Sequence, residues 1–237
     1  MPYLLLIIAL IFFTNTQAIE LKISTGELPP YSYSQNNYLK GLAVEIVNTL
    51  QKRVQQNNNT IIKKPWARVI SEANTSKQLS FPLARRPYRE NLYKWIGPIL
   101  SDQAVFVVKK ANFKKISRIS ELKDLSVGSN LGAPTTKRLK QLNFTRLKII
   151  PSETQLSKMF IRDRFEAWYS AELMIFDLLK KLNYNLLDVT VLYRDVPLTF
   201  YIAASLDIED SIIAVWQKEL NKMKSDGTYR KILLKYK

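Results

Sequence analysis

Residues 21–54 read LKISTGELPPYSYSQNNYLKGLAVEIVNTLQKRV, and this stretch contains the pattern that decides the fold. Its beginning alternates polar and apolar side chains, as a short strand does, and stops at the turn-forming pair Pro29-Pro30. The spacing of apolar residues then changes to that of a helix. The residues on its apolar face are Leu42, Ile46, Val47, Leu50 and Val54. The stretch therefore predicts a strand followed by an amphipathic helix.

The order of strand and then helix recurs along the chain. Further units of this kind are predicted at 60–74, 125–142, 146–160 and 166–183. Additional strands are predicted at 103–110, 188–193 and 198–205, and two helices at 208–224 and 227–236. Alternating strands and helices are typical of a mostly parallel sheet with helices on both faces. Two such series, with boundaries near Lys110 and Pro197, predict an α/β protein of two lobes.

The composition excludes several kinds of catalytic and metal site. The chain of 237 residues contains no histidine and no cysteine. Histidine-based triads, imidazole general bases and the commonest zinc sites are therefore excluded. We expect no catalytic residue, no metal site and no cofactor.

A net charge of +16 invites a nucleic-acid interpretation. The basic residues, however, are spread over the whole chain and occur singly or in pairs such as Lys63-Lys64 and Lys180-Lys181. Nucleic-acid arms usually contain blocks of five or more basic residues. A solvated basic surface is therefore the preferred interpretation, and no nucleic-acid partner is expected.

Residues 1–18, MPYLLLIIALIFFTNTQA, have the features of an export signal. They contain no charged side chain, and the apolar run from Tyr3 to Phe13 precedes the small-residue ending Thr16-Gln17-Ala18. A membrane anchor is the weaker alternative, because spanning a bilayer needs about 20 apolar residues. We predict cleavage after Ala18 and a mature protein that diffuses in the periplasm.

Residues 81–98, FPLARRPYRENLYKWIGP, combine Arg85, Arg86 and Arg89 with several aromatic rings. Three interpretations compete: a nucleic-acid patch, a solvated turn, or a pocket in which one guanidinium binds a small anion. A guanidinium offers paired donors that match the two oxygens of a carboxylate. The residues alone leave the choice between turn and pocket open.

The motifs and their order resemble the family 3 extracellular solute-binding proteins, which supply polar amino acids and related solutes to ABC importers. The segments that carry the resemblance are ELPPYSY, GLAVEIVNTL, PWARVI, RRPYRENLYKWIGPI, LKDLSVGSNLGAPTTKRL and KELNKMKSDGTYRKILLKY. The resemblance implies the type II fold of periplasmic binding proteins. In this fold two lobes, each a mostly parallel sheet flanked by helices, are joined by two crossovers and hold ligand between them.

The resemblance also implies the division of the chain and its partners. The first lobe would comprise residues 19–107 and 198–237, and the second lobe residues 108–197. The expected partners are a small carboxylate-bearing ligand and an inner-membrane ABC permease. The protein is expected to be a monomer.

Ligand-binding residues in the first lobe follow from the same resemblance. Arg89 matches the family arginine that grips a ligand carboxylate, and Arg85 either supports it or belongs to a solvated turn. Trp66 and Tyr31 match positions at which apolar or aromatic side chains line the cleft, with core packing as the alternative for both. Glu27, at the end of the first strand, either pairs with a ligand amine or caps the turn.

In the second lobe, the resemblance points to Thr135, in the hydroxyl-bearing turn before a helix, and to Glu172. Amino-acid binders of the family carry an aspartate here that pairs with the ligand ammonium, and this chain has Ala171 at that place. A buried ammonium without a partner is costly, so the replacement leaves amino-acid specificity open.

Two other functions remain as alternatives. The same fold hosts dehydratases, and in an enzyme Glu27 or Glu172 would do the acid–base work while Arg89 places the substrate. A ligand sensor without a transport role is the second. The lack of histidine and of any paired-carboxylate motif favours a binding protein over an enzyme.

Overall fold

The computed structural model of the protein describes residues 21–55 and 59–236, so the predicted export signal at 1–18 lies outside the described residues. In the described part the strands are β1 (Lys22–Thr25), β2 (Tyr33–Gln35), β3 (Tyr38–Lys40), β4 (Ile61–Lys63), β5 (Gln78–Ala84), β6 (Lys94–Lys109), β7 (Val127–Asn130), β8 (Leu147–Ile150), β9 (Ala167–Ala171) and β10 (Val189–Ala204). The helices are α1 (Leu42–Arg53), α2 (Trp66–Glu72), α3 (Pro134–Gln141), α4 (Glu153–Ile161), α5 (Glu172–Lys181), α6 (Asp210–Ser225) and α7 (Thr228–Leu234). None of these helices is long and apolar enough to cross a bilayer.

Eight of the strands form one sheet in the order β4-β1-β5-β10-β6-β9-β7-β8. On one side β4, β1 and β5 are parallel, and on the other side β9, β7 and β8 are parallel. The central strands β6 and β10 are antiparallel to each other, and each is 16 residues long. We call the group around β1 the first lobe and the group around β7 the second lobe. The strand β10 pairs with β5 of the first lobe, β6 pairs with β9 of the second lobe, and the two pair with each other. Together they connect the lobes, as the two crossovers of the predicted fold do.

This topology confirms the predicted α/β fold, but individual strands differ from the prediction. The short strands β2 and β3 are not in the predicted set, and β6 begins at Lys94 instead of residue 103. The segments predicted separately at 188–193 and 198–205 form the single strand β10, because residues between them, such as Arg194, continue to pair with β6. The strand β5 is absent from the predicted set. Its sequence QLSFPLA contains Pro82, which weakens a strand pattern, although all of its residues are buried.

The C-terminal helices return to the first lobe, where they cover α1. The apolar face predicted for α1 is buried at Leu42, Ile46, Val47 and Leu50. Helices α6 and α7 both pack against α1. Arg53 at the end of α1 pairs with Asp226, between α6 and α7, at 2.7 Å. The last segment of the chain therefore completes the core of the lobe that the first segment begins.

The carboxyl ends of the two parallel groups face each other across β6. At the end of β5, Ala84 pairs with Phe200 of β10, which pairs with Leu100 of β6. At the end of β9, Ala171 pairs with Ala104 of β6. The strands β5 and β9 run in opposite directions and end opposite residues 100 and 104 of β6. Since a strand rises roughly 3.3 Å per residue, these two ends are about 13 Å apart along β6. The loops that follow the parallel strands therefore border one cleft over the middle of β6.

Candidate functional site

The residues predicted to bind ligand all follow the carboxyl ends of parallel strands. In open α/β sheets ligands bind outside these ends. The predicted residues are Glu27 and Tyr31 after β1, Trp66 after β4, Arg85 and Arg89 after β5, Thr135 after β7 and Glu172 after β9. The fold brings these positions to the two rims of the cleft, but their individual contacts differ.

Asp102 of β6 forms the floor of the cleft and links its two sides. Its Oδ2 accepts a hydrogen bond from the hydroxyl of Tyr31 in the first lobe and another from the Leu173 amide of α5, at 3.2 Å. The Gln103 amide donates to Oδ1 at 2.7 Å. Burial raises the pKa of Asp102 above its usual value, and these hydrogen bonds oppose the rise.

Tyr31 lies in the core, with 1% of its surface exposed. Its ring packs beside Phe200, with 5.2 Å between ring centres. Burial, followed by the charge of Asp102, raises the pKa of the Tyr31 hydroxyl well above its usual value. This placement agrees with the core-packing alternative for Tyr31, whose hydroxyl holds the floor residue Asp102.

Arg85 is engaged within the arginine turn. Its Nε donates to Glu90 at 2.8 Å, and its guanidinium lies over the rings of Trp95 and Tyr201, at 5.7 and 5.5 Å from their centres. The pairing with Glu90 raises the pKa of Arg85 above its usual value. These contacts fit the turn alternative for Arg85, with the ligand-supporting role left as a prediction.

Arg89 has no carboxylate partner among residues 21–55 and 59–236. Its Nη1 donates to the Ala84 carbonyl at 3.2 Å, and its guanidinium lies 5.3 Å from the centre of the Tyr88 ring. Its amide donates to the Arg86 carbonyl at 2.8 Å, which closes the turn. The backbone therefore holds Arg89 at the end of β5, while most of its donors remain open to an external anion.

Glu27 is already paired. Its Oε2 accepts from Lys63 Nζ at 3.0 Å and its Oε1 from the Ser34 amide at 3.3 Å. About half of its side chain is exposed. These contacts fit the alternative in which Glu27 caps the turn.

Trp66 begins α2 and covers the backbone at the end of β1. A Cβ added to Gly26 would lie 2.1 Å from Cε3 of Trp66, so the indole rests directly on the glycine. The residue is partly exposed. The indole is thus a flat surface at the first-lobe rim, where it can pack on a ligand.

On the second-lobe rim, Thr135 is buried at the start of α3, and its neighbour Thr136 donates to Ser129 Oγ at 2.8 Å. Glu172 begins α5 and is paired with Arg194, whose Nη2 lies 2.7 Å from its Oε1. The negative charge of Glu172 is therefore balanced by Arg194 of the crossover strand β10.

Sequence reasoning missed three acidic residues near the cleft. Asp102 and Asp195 lie on the crossovers, and Asp195 accepts from Tyr169 Oη at 2.6 Å and from Arg138 Nη2 at 2.7 Å. Glu153 begins α4, directly after β8. The carboxyl-end rule that selects Glu172 after β9 also selects Glu153, whereas nothing in the sequence distinguishes the two aspartates.

A surface depression lies away from this cleft. Asn74, Ser76, Leu206 and Asp207 line it, at the amino end of β5. There Asp207 accepts hydrogen bonds from Ser76 and Ser205 hydroxyls, both at 2.6 Å, and these bonds lower the pKa of Asp207 to about 2. This cluster ties two chain segments together. In the part of the chain that the structure describes, no group of acidic side chains is arranged to hold a metal ion.

Comparisons with known proteins agree with this fold. Residues 21–237 match a family model described as bacterial extracellular solute-binding proteins, family 3. The probable amino-acid-binding protein YxeM of Bacillus subtilis (strain 168) is 26% identical over 220 residues, covering 90% of this chain and 81% of that protein.

Two solved structures share the fold. An ancestral arginine-binding protein bound to arginine superposes with a TM-score of 0.74 at 19% identity, over 92% of this chain and 97% of the other. A histidine kinase sensor domain with similarity to periplasmic binding proteins gives a TM-score of 0.76 at 13% identity, over 92% and 96% of the two chains.

Proposed function

Because the chain belongs to the bacterial extracellular solute-binding proteins of family 3, we propose that it captures a small carboxylate-bearing solute between its lobes for an ABC importer. The solute is an amino acid or a related compound. The chain acts as a binding protein without catalysis. It works as a monomer in the periplasm, after cleavage behind Ala18, and its partners are the solute and an inner-membrane permease.

The observation that carries the proposal is that the guanidinium of Arg89, at the rim of the cleft, is unpaired within the described part of the chain. It is held by backbone contacts at the rim of the cleft and has no acidic partner in the described residues. A guanidinium binds a carboxylate through two parallel hydrogen bonds. The pair gains strength when the cleft closes and water leaves, because the effective dielectric constant falls.

The crossovers β6 and β10 supply the hinge for closure. The lobes are otherwise separate groups of strands, so bending of these two strands can bring the rims together around a ligand. Closure would bring the Trp66 indole and the Thr135 turn toward the ligand from opposite rims. A permease can then distinguish the closed, loaded form from the open one.

The ion pairs of Glu27 and Glu172 argue for binding over acid–base chemistry. Both carboxylates accept hydrogen bonds from a cationic side chain, Lys63 in one case and Arg194 in the other. A general base needs a carboxylate that is free to take a proton from substrate. In this arrangement neither residue offers one.

A thermal-shift screen of amino acids, amines and small carboxylates tests the proposal. A specific ligand at about 100 times its dissociation constant adds roughly 2.7 kcal/mol to the free energy of unfolding. We expect a carboxylate-bearing solute to raise the unfolding temperature of the wild type. A panel in which only amines or nothing stabilises the protein would overturn the proposal. Uptake of the identified solute by cells that lack this protein then tests the link to an importer.

A further inference from the structure

A partly buried carboxylate without a cationic partner in the described residues lies on the second-lobe side of the cleft. Glu153 is the first residue of α4, so it follows the carboxyl end of β8. Its Oε1 accepts from Ser170 Oγ at 2.9 Å, and its Oε2 accepts from Trp168 Nε1 at 3.2 Å. Both donors are neutral, and no lysine or arginine of the described residues pairs with this carboxylate.

A hydrogen bond joins Glu153 to the residue before Ala171. Ser170, which donates to Glu153, directly precedes Ala171 at the end of β9. Alanine offers no polar group there. Glu153 therefore brings a carboxylate without a cationic partner close to this strand end, where the following residue Glu172 is already paired with Arg194.

The same carboxylate acts on the first lobe. The causes that raise the pKa of the Tyr31 hydroxyl are burial, then the charge of Asp102, then the charges of Glu153 and Asp177. Tyr31 lies across the cleft floor, with its hydroxyl on Asp102. Glu153 is thus near enough to the Tyr31 hydroxyl for its charge to contribute to this rise.

Other acidic residues around the cleft are already engaged. Glu27 pairs with Lys63, Glu172 with Arg194, and Asp195 with Arg138. Asp102 has no cation, but hydroxyl and amide donors occupy both of its oxygens. Each oxygen of Glu153 accepts one hydrogen bond and has capacity for another.

An ionised carboxylate that is buried without a counter-charge is costly. In agreement, burial raises the pKa of Glu153 to about 7. A ligand cation placed against this carboxylate would remove the cost. The chain carries a net charge of +16, so a carboxylate without a cationic partner at the cleft is negative in a protein that is mostly positive.

We propose that Glu153 binds an ammonium group of the solute, so that the cleft selects zwitterions with the carboxylate on Arg89 and the ammonium on Glu153. This inference rests on the proposed function, because it takes Arg89 as the carboxylate site. In this chain Ala171 stands where the family has an aspartate that pairs with the ligand ammonium. The inference gives that role to Glu153, at the start of α4.

Calorimetry on the wild type gives the first test. The probes are the standard L-amino acids, ornithine and citrulline, each compared with the 2-hydroxy acid in which a hydroxyl replaces the α-ammonium. We expect the amino acids that bind to lose about 30-fold or more in affinity when the ammonium is replaced. Equal affinity for an amino acid and its hydroxy counterpart would overturn the inference, whatever the variants do.

The second test is Glu153→Gln. Glutamine keeps the size of the side chain and both hydrogen bonds, since the Ser170 hydroxyl can accept as well as donate. We expect this variant to lose affinity for the bound amino acid by about 30-fold or more and to leave the hydroxy acid within about threefold. The matched control is Glu166→Gln. Glu166 precedes the first residue of β9, at the end away from Ala171, and accepts from the Ser126 amide at 2.8 Å. The affinities of this control should equal those of the wild type.

Ala171→Asp in the Glu153→Gln background provides a rescue. An aspartate at the end of β9 restores a carboxylate next to the proposed ammonium position. We expect it to recover part of the lost affinity for the amino acid and none for the hydroxy acid.

Arg89→Ala separates the two proposals. If Arg89→Ala weakens both probes whereas Glu153→Gln leaves the amino acid unchanged, the proposed function stands and the role of Glu153 is overturned. If the wild type binds none of the amino acids and none of the hydroxy acids, this inference fails. The proposed function fails as well only if no other small carboxylate of the thermal-shift panel binds.

Discussion

The ammonium of Lys137 on α3 lies 5.0 Å from the centre of the Tyr88 ring, in the turn that carries Arg89. These residues belong to different lobes, since the turn follows β5 and α3 follows β7. A second contact of this kind joins Lys181 of α5 to the ring of Tyr33 on β2, at 4.3 Å. The two lobes thus touch through cation–π pairs at or near the surface, each worth about 0.5–1 kcal/mol.

Tyr88→Ala should weaken ligand binding without weakening the fold. If the contact with Lys137 stabilises the closed arrangement, its loss costs about two- to fivefold in affinity for the amino acid that the wild type binds. The unfolding temperature should stay the same, because Tyr88 is 59% exposed. Calorimetry and thermal unfolding measure the two effects. Tyr38→Ala, at an exposed position of β3, is the control, and equal affinity losses in both variants would contradict the prediction.

Arg89→Ala should reduce affinity for a carboxylate ligand by about 2 to 5 kcal/mol, as expected for a buried charge pair. Arg86→Ala should cost little, because Arg86 contributes its carbonyl oxygen to the turn and alanine keeps that group. Titration calorimetry with the identified ligand compares them. Equal losses in the two variants would exclude a single clamping arginine.

Gly26→Ala should displace the Trp66 indole. The new Cβ would lie 2.1 Å from Cε3 of Trp66, closer than any normal contact. We expect a loss of about 1–3 kcal/mol in the free energy of unfolding, typical of overpacking, and weaker ligand binding. The double variant Gly26→Ala with Trp66→Leu should recover part of the stability, as denaturant unfolding can measure. No gain from the second substitution would show that the clash lies elsewhere.

Glu153 should make stability depend on pH. Burial raises its pKa in the folded protein from the ordinary 4.5 to about 7, so the folded state binds this proton more tightly than the unfolded chain. The stabilising contribution is complete below about pH 4.5, falls as the pH rises, and is lost above about pH 7. Its size is roughly 3 kcal/mol.

Calorimetric unfolding of the wild type and of Glu153→Gln at a series of pH values checks this prediction. The difference in the free energy of unfolding should change in favour of the variant between about pH 4.5 and 7 and stay constant above. Other titrating groups, such as Asp102, are present in both proteins and cancel in the difference. A difference that is independent of pH would contradict the prediction.

The sequence was sufficient for the elements that carry a strong local pattern. The apolar spacing of Leu42, Ile46, Val47 and Leu50 predicted α1, and the structure buries these side chains. The strand-then-helix order predicted the parallel groups, because a parallel connection requires a crossover. Elements with a weaker local signal were missed: β5 contains Pro82, and the continuity of β10 depends on its pairing with β6.

The sequence by itself placed Glu27, Trp66 and Glu172 after predicted strands, and residues after parallel strands lie at the same edge of a sheet. The positions of Arg85 and Arg89 came from the family resemblance, because β5 was not predicted. Only the tertiary structure decided their partners. Glu27 meets Lys63, Glu172 meets Arg194, and Arg89 and Glu153 meet no opposite charge in the described residues. These pairs join residues 36 and 22 positions apart in the chain. Their formation depends on strand register and on burial, which a local sequence pattern does not specify. For this reason only the folded structure shows which charged side chains remain free to bind a ligand.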